Sequence, residues 1–169
     1  MMRGPKVCLD VDYRARSVVA ACVGFAEWTD AAAAFERTLD FSAVPAAYES
    51  GQFYRREMPY LLELLGALEV SFALVVIDGF VWLDGGRPGL GAHLHEALGG
   101  VCPVIGVAKR PFAAAAGALP VRRGASKVPL YVSAVGLDVG DAAHAVSQMH
   151  GEHRVPTLLR RVDQLSRAE

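Results

Sequence analysis

The chain has 169 residues, of which 53% are hydrophobic and 21% charged, and its formal net charge is −1. This length suits one domain, residues 1–169, with a substantial core, and the composition excludes disordered and fibrous proteins. Because no apolar run reaches the roughly 18 residues that a membrane-spanning helix needs, we expect no membrane partner.

The cysteines and the first residues indicate a compartment. Cys8, Cys22 and Cys102 are far apart in the sequence and odd in number, and each lies among apolar neighbours. This pattern favours buried thiols in a reducing compartment over a disulfide or a zinc site. Asp10 and Asp12 come too early for a signal peptide. We therefore expect a cytoplasmic protein.

The charge is distributed unevenly along the chain. Residues 1–100 hold 8 Lys and Arg against 13 Asp and Glu, a net charge of −5, whereas residues 101–169 hold 9 against 5, a net charge of +4. Such a division suits a protein that gathers metal ions on one part and phosphates on another. It is equally compatible with chance.

The first half of the chain predicts a meander of strands followed by a helix. Apolar patterning predicts strands over residues 6–12 and 17–25, joined as a hairpin, and a short third strand over 36–42. Apolar residues follow helical spacing within 52–68. Because proline suits the first turn of a helix, we expect this helix to start at Pro59.

The second half alternates strands with helices. The predicted strands cover 71–77, 101–109 and 127–135, and the predicted helices cover 89–100, 139–151 and 155–169. A meander followed by this alternation predicts an α/β fold, with a mixed central sheet and helices on both faces. Length and element order suit a ribonuclease H-like fold, although composition does not separate it from other α/β folds.

Two aspartates lie in the most apolar strands. Asp78 ends the strand of residues 71–77, and Asp10 follows Val7 to Leu9. A carboxylate is costly to bury without a partner. If the two strands are neighbours, the carboxylates come close enough to favour a divalent cation such as Mg²⁺ or Mn²⁺. The alternative is that each aspartate caps a turn, and Asp78-Gly79 is a good turn dipeptide.

A longer pattern resembles a known family. In "YESGQFYRREMP", five residues resemble the endonuclease V motif Y-x-P-G-x-x-x-x-R-E-x-P, and serine stands where the family has its first proline; the five are Tyr48, Gly51, Arg56, Glu57 and Pro59. The segments "LDVDY", "VVIDG", "IGVAK" and "PLYVS" then resemble the family's strands in the right order, and "HRVPTLLRRVDQL" resembles its closing segment. The resemblance covers nearly the whole chain.

The resemblance implies a fold, an activity and a set of residues. It implies a ribonuclease H-like endonuclease that hydrolyses a phosphodiester of DNA or RNA near inosine, as in DNA repair. Asp10, Glu57 and Asp78 would bind Mg²⁺ or Mn²⁺, and Lys109 would contact the phosphate. Tyr48 would be the wedge whose ring replaces a displaced base.

Further residues are candidates for contact with nucleic acid. Arg56 belongs to the resembling motif, and Arg122 and Arg123 lie on a basic stretch before the last strand. Arginines are frequent partners of backbone phosphates, so we expect these three to contact DNA or RNA. A solvated charge run is the alternative for Arg122 and Arg123.

The sequence also departs from the family pattern. Phe80 and Trp82 stand where a polar group is expected, and they either stack on a base or pack on a neighbouring loop. Gly136 stands where the family has a histidine near the metal. Asp138 either supplies a fourth metal-binding carboxylate or caps the next helix.

Two functions follow from these observations. The first is a metal-dependent endonuclease acting near deaminated bases, with Asp10, Glu57, Asp78 and Lys109 as its catalytic residues. The alternative, which Gly136 favours, is a catalytically impaired module of the same fold that binds nucleic acid. The choice of DNA or RNA and the oligomeric state stay open.

Overall fold

A computed structural model describes residues 3–42, 53–111 and 117–169. Seven strands of these ranges form one sheet in the order β3-β2-β1-β4-β5-β7-β6. The strands are β1 (Lys6–Tyr13), β2 (Val18–Phe25), β3 (Phe35–Phe41), β4 (Leu74–Asp78), β5 (Val104–Ala108), β6 (Leu119–Val121) and β7 (Leu130–Val135). The helices are α1 (Phe53–Gly66), α2 (Leu90–Ala97), α3 (Val139–Gln148) and α4 (Thr157–Arg167).

The strand directions define two edges of the sheet. Strands β1, β2 and β3 form an antiparallel meander, whereas β4 is parallel to β1 and β5 is parallel to β4. The carboxyl ends of β1, β4 and β5 therefore meet at one edge, which we call the carboxyl edge. Strand β7 is antiparallel to β5, so β7 begins at the carboxyl edge and ends at the opposite one.

Helices cover both faces of this mixed sheet, as the sequence predicts. On one face, α1 and α2 bury Leu61, Leu64 and Leu94 against β1, β2, β4 and β5. On the other face, α3 and α4 bury residues such as Val146 and Val162 against a second apolar layer. Both layers come from the alternation of side chains along each strand, which sends successive residues to opposite faces.

Most predicted elements are present, with one boundary wrong and one strand missed. Helix α1 begins at Phe53, six residues before Pro59, and Pro59 lies inside it with an exposed side chain. The proline removes one helical hydrogen bond, a loss that α1 offsets by burying its leucines. Strand β6, only three residues long, had no recognisable apolar pattern.

Two smaller expectations concern the cysteines and the membrane. Cys8, Cys22 and Cys102 are buried and free, as expected from their apolar neighbours. Among the described residues, no helix combines the length and the apolar character needed to cross a bilayer.

Candidate active site

Asp10 and Asp78 lie side by side at the carboxyl edge. Val7 pairs with Val75 and Cys8 with Val76 in the parallel β1–β4 ladder. Continued by two residues, this register places Asp10 opposite Asp78. Because side chains alternate along a strand, both aspartates face the same side as Cys8 and Val76, which is the side covered by α4.

The loop after Asp78 is folded tightly over the sheet. Gly79 has a φ of 129°, a conformation that favours glycine, and ends the strand directly after the aspartate. A side chain at Gly106 of β5 would collide with the carbonyl oxygen of Gly79. Val81 donates its backbone N–H to Ser133 Oγ at 2.9 Å. The exposed end of β4 is therefore fixed by the neighbouring strands.

The three carboxylates predicted from the sequence line one cleft together with two further acids, Asp163 and Asp12, of which Asp12 is paired with Arg14 at 3.2 Å. This acidic cleft has a volume of about 320 Å³ and opens at the carboxyl edge. Its walls carry Asp10, Glu57, Asp78 and Asp163, together with Val11, Asp12, Tyr13, Arg56, Gly79 and Arg167. Glu57 reaches it from α1, because that helix starts early enough to include the Arg56–Glu57 pair. Asp163 reaches it from α4.

Asp163 is the acidic residue that sequence reasoning missed. It forms a side-chain hydrogen bond with Asp10. Ser166, fully buried on the same helix, donates its hydroxyl towards Asp10 Oδ2 at 3.3 Å. A signal was present, because Asp163 directly follows Val162 in the buried stripe of an amphipathic helix. An acid at the border of such a stripe is costly to place and marks a candidate functional position.

The crowding of these acids changes their protonation. Burial, the hydrogen bond with Asp163 and the charge of Asp78 raise the pKa of Asp10 to about 7. Burial and the charges of Asp10 and Asp78 raise the pKa of Glu57 to about 8. Burial by the cleft walls also raises the pKa of Asp78, although 53% of its side chain is exposed and Lys109 opposes the shift. Acids perturbed in this way cluster at functional sites.

Basic side chains surround the acids. Lys109 Nζ, just beyond β5, lies 3.9 Å from Asp78 Oδ2. Arg167 Nε lies 3.2 Å from Asp163 Oδ1, one helical turn away. Arg56 lies with its guanidinium 3.8 Å from the centre of the Tyr13 ring. Each of these cationic side chains offsets part of the electrostatic repulsion between the carboxylates.

The donor set fits a hard divalent cation. The four side chains offer only carboxylate oxygens, which are the ligands that Mg²⁺ and Mn²⁺ prefer. The raised pKa values of Asp10, Glu57 and Asp78 reflect burial and repulsion between neighbouring carboxylates, both of which a bound cation would offset. The carboxylates share the cleft without forming a ready cage: in residues 3–42, 53–111 and 117–169, no three His, Cys, Asp or Glu side chains have the spacing that holds a metal ion.

The structure corrects the expectation that Asp138 is a metal ligand. Asp138 caps α3, and its Oδ1 accepts a hydrogen bond from the backbone N–H of Asp141 at 3.0 Å. It follows β7, which ends at the edge opposite the acidic cleft. Gly136 lies at that far edge too, next to Pro103 and His95. The lack of a histidine at Gly136 therefore leaves the acidic cleft unchanged.

The structure also corrects the expectation that Arg123 contacts nucleic acid. Arg123 is only 5% exposed, and its guanidinium donates to the carbonyl oxygens of Met149, Gly151, His153 and Arg154. Because these carbonyls occupy it, Arg123 supports a loop and is not available to a backbone phosphate.

The other expected nucleic-acid contacts have different placements. Arg122 is exposed beside β6, whose last residue pairs with the first residue of β7 at the carboxyl edge. Trp82 is half-buried and donates its Nε1–H to the carbonyl oxygen of Ala134 at 3.1 Å, so its ring packs on the sheet. Tyr48 lies outside the described residues, and its expected role as a wedge stays a prediction.

The raised pKa values predict how stability changes with pH when divalent ions are chelated. The folded chain keeps protons on Asp10 and Glu57 that the unfolded chain releases near the ordinary values of 3.8 and 4.5. The free energy of unfolding should therefore fall as the pH rises from about 5 to 8, by on the order of 3 kcal/mol. Urea denaturation in EDTA at several pH values measures this slope. Glu57→Gln should flatten it, and a stability that rises over this range would contradict the assignment.

Comparisons with known proteins bear on the family and the fold of the chain. The family model described as Endonuclease V matches residues 6–128. Among curated proteins, none matches the chain significantly. Endonuclease V from Streptomyces avermitilis is 29% identical, with a TM-score of 0.75 over 97% of this chain and 80% of that one.

Two further solved structures share the fold at lower identity. The catalytic domain of human endonuclease V is 24% identical, with a TM-score of 0.77 over 96% of this chain and 80% of that one. Endonuclease V from Ciona intestinalis, in complex with a 24mer DNA containing an inosine followed by a ribo-adenosine, is 19% identical, with a TM-score of 0.77 over 96% of this chain and 84% of that one. These likenesses confirm the ribonuclease H-like α/β fold.

Proposed function

Because the chain belongs to the endonuclease V family, we propose that it is a metal-dependent endonuclease that hydrolyses phosphodiester bonds of nucleic acid near inosine. The observation that carries the proposal is the acidic cleft, in which Asp10, Glu57, Asp78 and Asp163 share one site at the carboxyl edge. The Ciona relative was crystallised with inosine-containing DNA, which supports a substrate of this class. The single sheet that joins all described strands supports one domain over residues 1–169.

The carboxylates would hold the cation. Asp10 and Asp78 are the central pair, since they come from adjacent strands, and Glu57 and Asp163 approach from helices on opposite faces of the sheet. A bound Mg²⁺ or Mn²⁺ would activate water and offset the charge that develops on the scissile phosphate.

The basic residues would hold the substrate. Lys109 is close enough to Asp78 for its ammonium group to reach a phosphate that lies over the acids, where it would stabilise developing negative charge. Arg56 lies across the cleft, and within the described ranges its buried Nε has no hydrogen-bond partner. Its stacking on Tyr13 fixes the guanidinium plane, which suits contact with a phosphate. Tyr48 and Arg122 remain proposed contacts with the nucleic acid.

Binding of the cation should stabilise the fold measurably. A ligand that binds the folded state alone adds about 2.7 kcal/mol at a concentration one hundred times its dissociation constant. We expect Mn²⁺ or Mg²⁺ to raise the midpoint of thermal unfolding at pH 8, where the acids would otherwise repel each other. Asp10→Asn should remove most of the shift. Equal shifts for the variant and the original protein would place the cation elsewhere.

A cleavage panel tests the proposed activity. Inosine-containing and plain oligonucleotides of DNA and RNA are incubated with the protein in Mg²⁺, in Mn²⁺ and in EDTA. The proposal expects cleavage of at least one inosine-containing substrate with a divalent ion and none in EDTA. Equal cleavage of the plain substrates would contradict the proposed preference for inosine. Cleavage in EDTA would contradict the proposed metal dependence.

The alternative of an impaired binding module loses its main support. That alternative rested on Gly136, which lies at the far edge of the sheet, away from the acidic cleft. Acids grouped this closely, with raised pKa values at Asp10, Glu57 and Asp78, are costly to retain in a module that only binds nucleic acid. Binding of oligonucleotides without any cleavage in the panel would restore it.

A further inference from the structure

A second cleft lies next to the acidic one and has the opposite charge. This basic cleft has a volume of about 480 Å³ and is lined by Lys109, His153, Arg154, Val155, Arg160 and Asp163. Asp163 belongs to the walls of both clefts. Three of the other lining residues are cationic at neutral pH, and Arg167 offsets the charge of Asp163 from the far side.

The basic cleft is held in place by buried contacts. Arg154 donates from Nη1 to the carbonyl oxygen of Lys109 at 3.1 Å, which ties the loop before α4 to the end of β5. From below, the buried guanidinium of Arg123 donates to the carbonyl oxygens of His153 and Arg154. These contacts hold the loop in one position, and a preformed site loses less entropy on binding.

The two arginines of the basic cleft are available to a ligand. Within the described ranges, neither Arg154 nor Arg160 forms an ion pair with an acid, although both are near Asp163. Arg161, the next residue on α4, is different: its Nε and Nη2 donate to the carboxylate of Glu36 at 2.6 and 2.8 Å, and neither residue lines the basic cleft. Arg160 and Arg161 therefore carry the same charge, but among the described residues only Arg161 is paired with an acid.

We propose that the basic cleft binds a second backbone phosphate of the strand whose scissile phosphodiester lies in the acidic cleft. The proposal rests on the nuclease function above and adds a subsite to it. Lys109 lies between the two clefts and would contact the scissile phosphate. Arg154 and Arg160 would bind the neighbouring phosphate. Asp163 repels a phosphate at the shared wall, which separates the two positions.

The matched pair of arginines gives the test. Binding of a fluorescent single-stranded oligonucleotide containing inosine is measured in EDTA across a range of salt concentrations. Arg160→Ala should weaken binding about fivefold near 0.1 M salt and lower the slope of log K against log salt by about 0.7. Arg161→Ala, with the same change in charge, should alter neither, and Arg160→Lys should restore the slope. Equal losses for the two alanine variants would overturn the proposal.

Neutral linkages locate the phosphate. Each phosphate near the inosine is replaced in turn by an uncharged methylphosphonate. At one linkage the replacement should weaken binding by the original protein about as much as Arg160→Ala does, and it should cost the variant nothing further. Additive losses at every linkage would refute the subsite. If the protein cleaves no substrate, the nuclease proposal fails, while these binding measurements still decide the subsite.

Discussion

Replacing Asp78 by asparagine should abolish cleavage while leaving the fold intact. Asparagine keeps the shape of the side chain and removes the negative charge beside Asp10 and Lys109. Loss of one carboxylate from a divalent site removes several kcal/mol of transition-state stabilisation, so kcat/KM should fall on the order of a thousandfold. The free energy of unfolding in EDTA at pH 8 should stay the same or rise, because a repulsive charge is gone. Single-turnover cleavage and urea denaturation measure the two effects.

Asp84→Asn is the matched control for this variant. Asp84 lies in the turn after β4, exposed and paired with Arg87 at 2.8 Å, outside the acidic cleft. A surface ion pair contributes little, so both activity and stability should stay near the original values. Cleavage retained by Asp78→Asn, or lost equally by both variants, would contradict the role given to Asp78.

Asp163→Asn should cause a loss of similar size. Asp163 lines the acidic cleft, shares a hydrogen bond with Asp10 and is one of the four carboxylates proposed to hold the cation. We expect kcat/KM to fall on the order of a thousandfold and the stabilisation by Mn²⁺ to be largely lost. Because burial and Asp163 together raise the pKa of Asp10 from 3.8 to about 7, the variant should lose less metal-free stability as the pH rises through this range.

Asp138→Asn is the control for Asp163→Asn, because the sequence suggested Asp138 as the fourth metal-binding carboxylate. Asparagine caps a helix as well as aspartate does, so the variant should fold normally. Since Asp138 lies at the edge opposite the acidic cleft, its cleavage rate and its response to Mn²⁺ should equal those of the original protein. A large loss of activity in Asp138→Asn with full activity in Asp163→Asn would reverse the assignment.

The central part of the site was predictable because its causes are local. Apolar strands that end in a carboxylate identify Asp10 and Asp78, and parallel neighbours bring their ends to one edge. Glu57 is different, since nothing in the helical spacing points to it, and only the resemblance of the Arg56–Glu57 motif singled it out. Its place in the acidic cleft depends on α1 starting at Phe53, which the proline signal concealed.

The errors came from strand direction and from long-range contacts. An apolar run reads the same in both directions, so the sequence did not reveal that β7 is antiparallel to β5 and carries Asp138 to the far edge. Arg123 is typical of a solvated charge in sequence, yet it is buried under the carbonyls of a loop some thirty residues later. Asp163 lies more than 150 residues from Asp10, and only tertiary packing brings the two together.

Anomalous diffraction from crystals grown with Mn²⁺ tests the acidic site most directly. We predict that the strongest manganese peak lies in the acidic cleft, within ligand distance of Asp10 and Asp78, with Glu57 and Asp163 turned towards it. Crystals saturated with Mn²⁺ that have no peak there, or a peak bound by other residues, would contradict the proposed centre.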